Sequence, residues 1–384
     1  MKNRFMKNPM LALACCAAMA PAAYCQTAQT AQTAPTGTVT APSSDSSVQV
    51  YGVLDAGAVS EHDCRGGSCP STKISPGVST GSVIGFTGRE ALGNDTSAVF
   101  TLEAGVRNDT GQSDQNGRLF GSQAYVGLAN RWGAVTVGRQ YDVGYETLTE
   151  VADPFRGGMA GTATNLMGNG SKRSDNTIKY RSALIHGFVA SAIYSFGESA
   201  FSTSRNRAYG AMIGYQGGPF TLRAAHQRKN NFLQGAGATT PVDLSSRNSL
   251  VAANLHLGQA ATVYAAYAVN RGVGSSPWDQ DNPYGALVLS SPSNRSNDAL
   301  AGVSYASGPA TYMVSYIRKD DRSLANQDAN QVAVGMTYSM SRRTAFYAAY
   351  AKIKDHNGAP YTVGNFSEQG KGRSAFNLGL RHAF

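Results

Sequence analysis

Beyond its first twenty-five residues, this 384-residue chain has no apolar run near the ~18 residues that a membrane helix needs. That excludes a helical membrane protein. It does not exclude a barrel, whose strands alternate rather than form solid apolar blocks. Catalytic motifs are missing as well. The six histidines (His62, His186, His226, His256, His356 and His382) are scattered, with neither His-Glu-x-x-His nor Gly-x-Ser-x-Gly. A hydrolase would have to assemble from scattered Ser, His and Asp, so no enzyme activity and no cofactor are expected. Lys and Arg outnumber Asp and Glu by 33 to 24, with a pI near 9.3 but no basic block. Nucleic acid is therefore not an expected partner. The scattered cations are better suited to a phosphate-bearing surface.

Cysteine is sparse, and most of it lies at the amino terminus. Lys2, Arg4 and Lys7 precede a short apolar core, Met10 to Ala20. This is a secretory signal over residues 1–25, with Ala23 and Cys25 as the small residues before the cut. Its removal takes three cations and no anions, lowering the formal charge from +9 to +6. It also takes Cys15, Cys16 and Cys25, leaving Cys64 and Cys69. In an oxidising compartment these two are expected to form a disulfide. With His62 they could approach a metal site, but a fourth ligand is lacking, so no metal is expected. Residues 26–46 repeat Thr-Ala-Gln and offer nothing to bury, so they read as a low-complexity leader. Residues 47–384 form the remaining domain.

What that domain has is alternation. In the last strand Phe376, Leu378, Leu380 and Phe384 share one face; Asn377, Gly379, Arg381 and Ala383 share the other. A lipid-facing strand gains from such a face and from an aromatic at the membrane boundary. Candidate strands recur at about 48–57, 81–91, 97–107, 119–129, 133–141, 175–182, 187–197, 207–216, 219–228, 246–257, 260–271, 296–306, 309–319, 329–339, 343–353 and 374–384. Their connections alternate between short turns, such as Leu92-Gly93-Asn94-Asp95 and Asn130-Arg131-Trp132, and long segments at 58–80, 108–118, 142–174, 198–206, 229–245, 272–295, 320–328 and 354–373. The pattern predicts an all-β fold: a 16-stranded antiparallel transmembrane β-barrel with short periplasmic turns and long external loops. Its place is the bacterial outer membrane.

Several blocks sharpen this. Gln49-Val-Tyr51-Gly52-Val-Leu-Asp55-Ala-Gly57, Ile84-Gly-Phe-Thr-Gly88-Arg-Glu-Ala-Leu92-Gly93, Gln123-Ala-Tyr-Val-Gly127-Leu, Val137-Gly-Arg139-Gln-Tyr141-Asp142, Asn176-Thr-Ile-Lys-Tyr180 and Gly379-Leu-Arg-His-Ala-Phe384 occur in order. Over roughly 48–384 the chain resembles the general porins of β-proteobacteria. The resemblance implies a homotrimer of water-filled channels for small hydrophilic solutes, with the third external loop folded into the lumen. It also implies that the terminal Phe384 is part of a signal read by the barrel assembly machinery.

Selectivity in such a channel comes from the narrowest point and the field across it. Loop 142–174 carries Glu146, Glu150 and Asp153, expected to form the acidic side of the constriction. The opposite wall should be basic, and strand parity names its candidates. Phe100, Leu102 and Ala104 point out, so Glu103 and Arg107 point in. Ile178 and Tyr180 point out, so Lys179 and Arg181 point in, and Arg173 continues that register. Arg223 is inward by the same argument, because a charge facing lipid at mid-membrane costs roughly 2–4 kcal/mol. Arg139 shares parity with Val135 and Val137, so it faces out near the external rim, a candidate for an ion pair between subunits. Many relatives carry wall arginines where this chain has Val83 and Ser122. The expected function is a general diffusion porin with weak anion preference. A substrate-specific channel is the alternative, and a plugged or adhesive barrel the next.

Overall fold

Strands whose residues alternate between lipid and interior can satisfy every backbone group only by closing on themselves. The computed structural model describes residues 46–64, 69, 72–168, 172–198, 202–230, 232–233, 242–243, 245–272 and 293–384; the expected signal peptide and nearly all of the leader lie outside them. Sixteen long strands build the wall: β1 (Ser47–His62), β2 (Val83–Gly93), β3 (Thr96–Arg107), β4 (Gln123–Asn130), β5 (Gly133–Tyr141), β6 (Arg173–Ser182), β7 (Phe188–Ser195), β8 (Ala208–Gly217), β9 (Phe220–Lys229), β10 (Ser246–Leu257), β11 (Ala261–Gly272), β12 (Arg295–Ser307), β13 (Ala310–Asp321), β14 (Ala329–Ser339), β15 (Thr344–Asp355) and β16 (Ser374–Ala383). Each pairs antiparallel with its neighbours in the chain, and β16 pairs with β1 from Val53↔Ala383 to His62↔Ser374. The sheet is closed.

The last residue takes part in that closure. The Phe384 N–H donates to the Gly52 carbonyl at 3.0 Å, and the Gly52 N–H donates back at 3.2 Å. The Phe384 ring lies over Gly52 so closely that a Cβ there would sit 2.3 Å from it. Only glycine admits the ring.

Short turns follow local chemistry. Asn94 and Asp95, at φ +48° and +57°, form the two-residue hairpin turn that suits twisted strands. Beside the short turns, outward aromatics pair across strands: Phe188 with Tyr215, Tyr305 with Tyr312, and Tyr338 with Phe346. Tyr194 with Tyr209 and Tyr350 with Phe376 pair toward the opposite end. These are two aromatic belts, with exposed Ile213, Val263, Val314, Val334 and Leu378 between them.

Two boundaries differ from the sequence expectation by four residues or more. The first strand continues to His62 rather than ending near 57, because β16 pairs with it as far as His62↔Ser374, and the short strand Lys73–Pro76 adds a partner along Ala56–Val59. The fourth begins at Gln123 rather than 119. Its pairing with β3 begins only at Glu103↔Gln123, and 119–122 is still a turn.

Candidate functional site

The third long connection lies against the inner wall. After β5 it forms α1 (Val143–Thr147), a π-helical turn (Leu148–Ala152) and a compact run through a 3-10 turn at Ala163–Asn165. Two kinds of surface hold it. Val143 packs with Val189, Ile193, Met212 and Ala225, inward residues of β7, β8 and β9. Further along, Leu148, Val151, Phe155, Met159, Leu166 and Met167 share one apolar core with inward residues of β10–β15, among them Leu250, Tyr264, Leu300, Met313, Ile317, Ala333 and Tyr347. Polar tethers add precision. Asn254 donates to the Val151 carbonyl at 2.9 Å, and Asn165 donates to Gln331 at 2.9 Å. The buried pair Lys319–Asp298, at 3.1 Å, receives the end of the run. Lys319 donates to the Leu166 carbonyl, and the Gly168 N–H donates to Asp298.

The carboxylates of this segment have separate fates. Glu146 accepts from Lys179 Nζ at 2.6 Å and lies 3.7 Å from Arg181 Nη1. Glu150 accepts from Arg223 Nη1 at 2.5 Å. Burial disfavours the charged Glu150, yet Arg223 and Arg181 prevail and hold its carboxyl below the usual range. Asp153 is different. It is turned into the segment, 1% exposed, and accepts the backbone N–H groups of Phe155, Gly157 and Ala163 at 2.8–2.9 Å. Burial still pushes its carboxyl up to about 6 against those donors. The expectation that Asp153 faces the channel is corrected. A buried turn with three free N–H groups needs an internal acceptor, and Asp153 supplies it.

A second correction concerns the geometry of the field. The acidic segment and the basic wall were expected to oppose each other across the lumen. Instead Glu146 and Glu150 contact Lys179, Arg181 and Arg223 directly. Desolvated cations on β6 and β9 attract the carboxylates that α1 and its π-turn carry. In this cluster three cations meet two carboxylates, leaving one positive charge.

The other wall candidates divide. Glu103 is inward, as parity predicts, but fully buried, accepting from Tyr51 Oη and Gln123 Nε2 at 2.7 Å each. Arg107 reaches the last long loop, donating to Glu368 at 2.9 Å. Arg173 is buried against Tyr141, donating to its hydroxyl at 2.9 Å with the guanidinium 4.6 Å from the ring, and it approaches Ser122 at 3.4 Å. Arg173 thus lies on the side of the third loop, since Tyr141 stacks on Tyr145 of α1, but a strict parity count does not carry from Lys179 to it. The register with β5 shifts there, and Asn176 is left-handed. Arg139 pairs with Asp175 in its own chain, and Asp175 also meets Arg118 at 2.8 Å. Arg139 thus has an ion-pair partner in its own chain, and both side chains keep some exposure on the outside of the barrel. Cys64 and Cys69 are joined by a disulfide. Among the described residues no cluster of His, Cys, Asp or Glu is arranged to hold a metal.

The sequence reading missed Asp55, which is fully buried on β1. It accepts from Tyr347 Oη at 2.7 Å and from the N–H groups of Val78, Ser79 and Thr80. The Val78 carbonyl in turn accepts from the Met159 N–H at 2.6 Å. Asp55 therefore orders the return of the first loop, on which the tip of the third rests. Its inward parity with Tyr51 and Val53 was the available signal.

Comparison with known proteins agrees with this geometry. A family model described as Gram-negative porin matches residues 12–358. An outer membrane porin protein of Bordetella pertussis is 28% identical, covering 91% of this chain and 97% of that protein. The major outer membrane protein P.IB of Neisseria lactamica is 26% identical, covering 88% and 95%. Among solved structures, an anion-selective porin from Comamonas acidovorans superposes with a TM-score of 0.70 at 22% identity, over 88% of this chain and all of that one. The trimer form of OmpT from Vibrio cholerae gives 0.62 at 15% identity, covering 88% and 99%.

Proposed function

Since the chain belongs to the Gram-negative porin family, we propose that it is a general diffusion porin of the outer membrane, a homotrimer passing small hydrophilic solutes with weak anion preference. The observation that carries the preference is the cluster on the inner wall, where Lys179, Arg181 and Arg223 outnumber Glu146 and Glu150. Field at a narrow, partly desolvated site is what selects ions, and one surplus cation gives a mild bias. Val83 and Ser122 on the wall supply no further charge. The same charge pattern acts on any small anion, so no particular substrate is favoured.

The outer aromatic belts would sit at the two membrane interfaces. External cations such as Arg118, half exposed, would meet lipopolysaccharide phosphates. The terminal strand, with Phe384, would serve as the assembly signal, and residues 1–25 and 26–46 as signal peptide and leader. The test is single-channel recording in a planar bilayer under a salt gradient. Large ohmic steps closing in threes, with a reversal potential mildly on the anion side, are expected. A cation-side potential would overturn the charge argument, and a folded barrel without conductance would overturn the channel itself.

A further inference from the structure

The last long loop, 356–373, also turns inward. Ala359, Tyr361 and Val363 are almost fully buried, in the same apolar core as Leu166 and Met167 of the third loop. The Gly364 N–H donates to Asn165 Oδ1 at 2.9 Å, the same Asn165 that is tied to Gln331 on the wall. The Phe366 N–H donates to the Val78 carbonyl, and Lys172 Nζ stands 3.1 Å from the centre of the Phe366 ring. Thr362, between two buried neighbours, is half-buried and so faces away from that core.

Glu368 fastens the loop. Its Oε1 accepts from Arg107 Nη2 at 2.9 Å; its Oε2 accepts from Ser75 Oγ at 2.6 Å and pairs with Lys73 Nζ at 3.0 Å. Burial opposes its charge, but Ser75, Lys73 and Arg107 hold the carboxyl below its usual range. Lys73 also pairs with the buried Glu61 at 3.0 Å, and Glu61 accepts the Lys371 and Gly372 N–H groups. One loop is thus bound to the first loop, the third loop and the end of β3.

We propose that residues 356–373 are a second constricting segment of the channel, seated on the third loop and held across the mouth by Glu368 as its positioning residue. This rests on the channel reading above. A chain of polar and ionic ties around a buried apolar strip fixes the loop in one place, where it takes cross-section from the lumen. Conductance follows that cross-section.

The experiment compares single-channel conductance of the full chain with three variants, each checked for a heat-modifiable folded barrel. Replacing 357–364 by a short Gly-Ser link should raise conductance about twofold, since pore width sets it. Thr362→Trp, which adds bulk on the face turned from the core, should lower it. Glu368→Gln should give steps that fluctuate between the wild-type and the shortened-loop levels. Unchanged conductance in Thr362→Trp, or in a folded loop replacement, would overturn the second constriction. Quiet wild-type steps in Glu368→Gln would remove the role of Glu368. A wild-type chain that does not conduct would instead defeat the channel reading on which this one stands.

Discussion

Two stretches of the inner wall hold the same loop by opposite means. On β6 and β9 the inward side chains are Lys179, Arg181 and Arg223, and they grip the loop through Glu146 and Glu150. On β10–β15 the inward side chains include Leu250, Tyr264, Leu300, Met313, Ile317 and Ala333, and they grip it by burial. The second stretch is apolar on both faces: Met313 and Ile317 turn in while Val314 and Tyr316 turn out. Such a barrel has two apolar surroundings, lipid outside and a packed loop inside. Inward parity therefore does not by itself mean contact with the aqueous pore. Only the charged stretch keeps a net field beside it.

The contrast can be broken most strongly from the apolar side. Phe155 is buried, its ring close to Gly161 and to Gly335 on β14. Phe155→Ala should cost about 3–5 kcal/mol of loop seating, in the range of Phe-to-Ala changes in packed cores. The loop should then become cleavable by protease within 143–168 and the open channel noisy, while the barrel itself survives. A protease-resistant loop in that variant would mean that the charged stretch alone suffices to hold it.

The charged stretch should respond in selectivity. Arg223→Gln leaves two cations against two carboxylates and leaves Glu150 without its closest partner. Loss of one member of a buried pair costs about 3–5 kcal/mol at most, less here where both ends keep some exposure. The reversal potential should fall toward zero or cross to the cation side. Glu150→Gln should do the reverse, strengthening anion preference. Equal potentials in the two variants would remove the cluster from the selectivity filter.

How much of this was legible beforehand follows from what each feature depends on. The sixteen strands and their closure could be read because alternation, turn residues and the length of connections are local. Lys179, Arg181 and Arg223 could be placed inward because a charge cannot face lipid cheaply. Their partners could not be read. The meeting of Glu146 with Lys179 depends on the path of a long loop through space, and no local pattern in residues 142–174 reveals which wall its apolar residues seek. Asp153 looked like its neighbours Glu146 and Glu150, yet its short side chain suits backbone N–H groups within its own turn. The apolar inner stretch did leave a trace, the strands of β10–β15 with apolar residues at both parities, which reads as weak alternation until the loop that covers it is seen.

The smallest expected effect separates the acids of the loop by pH. Glu150 is held below the usual carboxylate range, so it stays ionised from pH 7 to pH 5. Asp153 is pushed up to about 6 by burial, so over the same interval it takes up a proton. A carboxyl whose folded value is raised favours the folded loop at low pH and withdraws that support as pH rises through about 6. Between pH 7 and pH 5 the loop should therefore seat more firmly. It should also lose one negative charge, away from the cluster, shifting the reversal potential slightly toward anions with a midpoint near 6. Asp153→Asn keeps one of the two acceptor oxygens of the turn and has no proton to gain, so in a variant that still folds the potential should be flat over that interval. If the shift persists in Asp153→Asn, the titrating group lies elsewhere, and the buried turn is electrically silent in the channel.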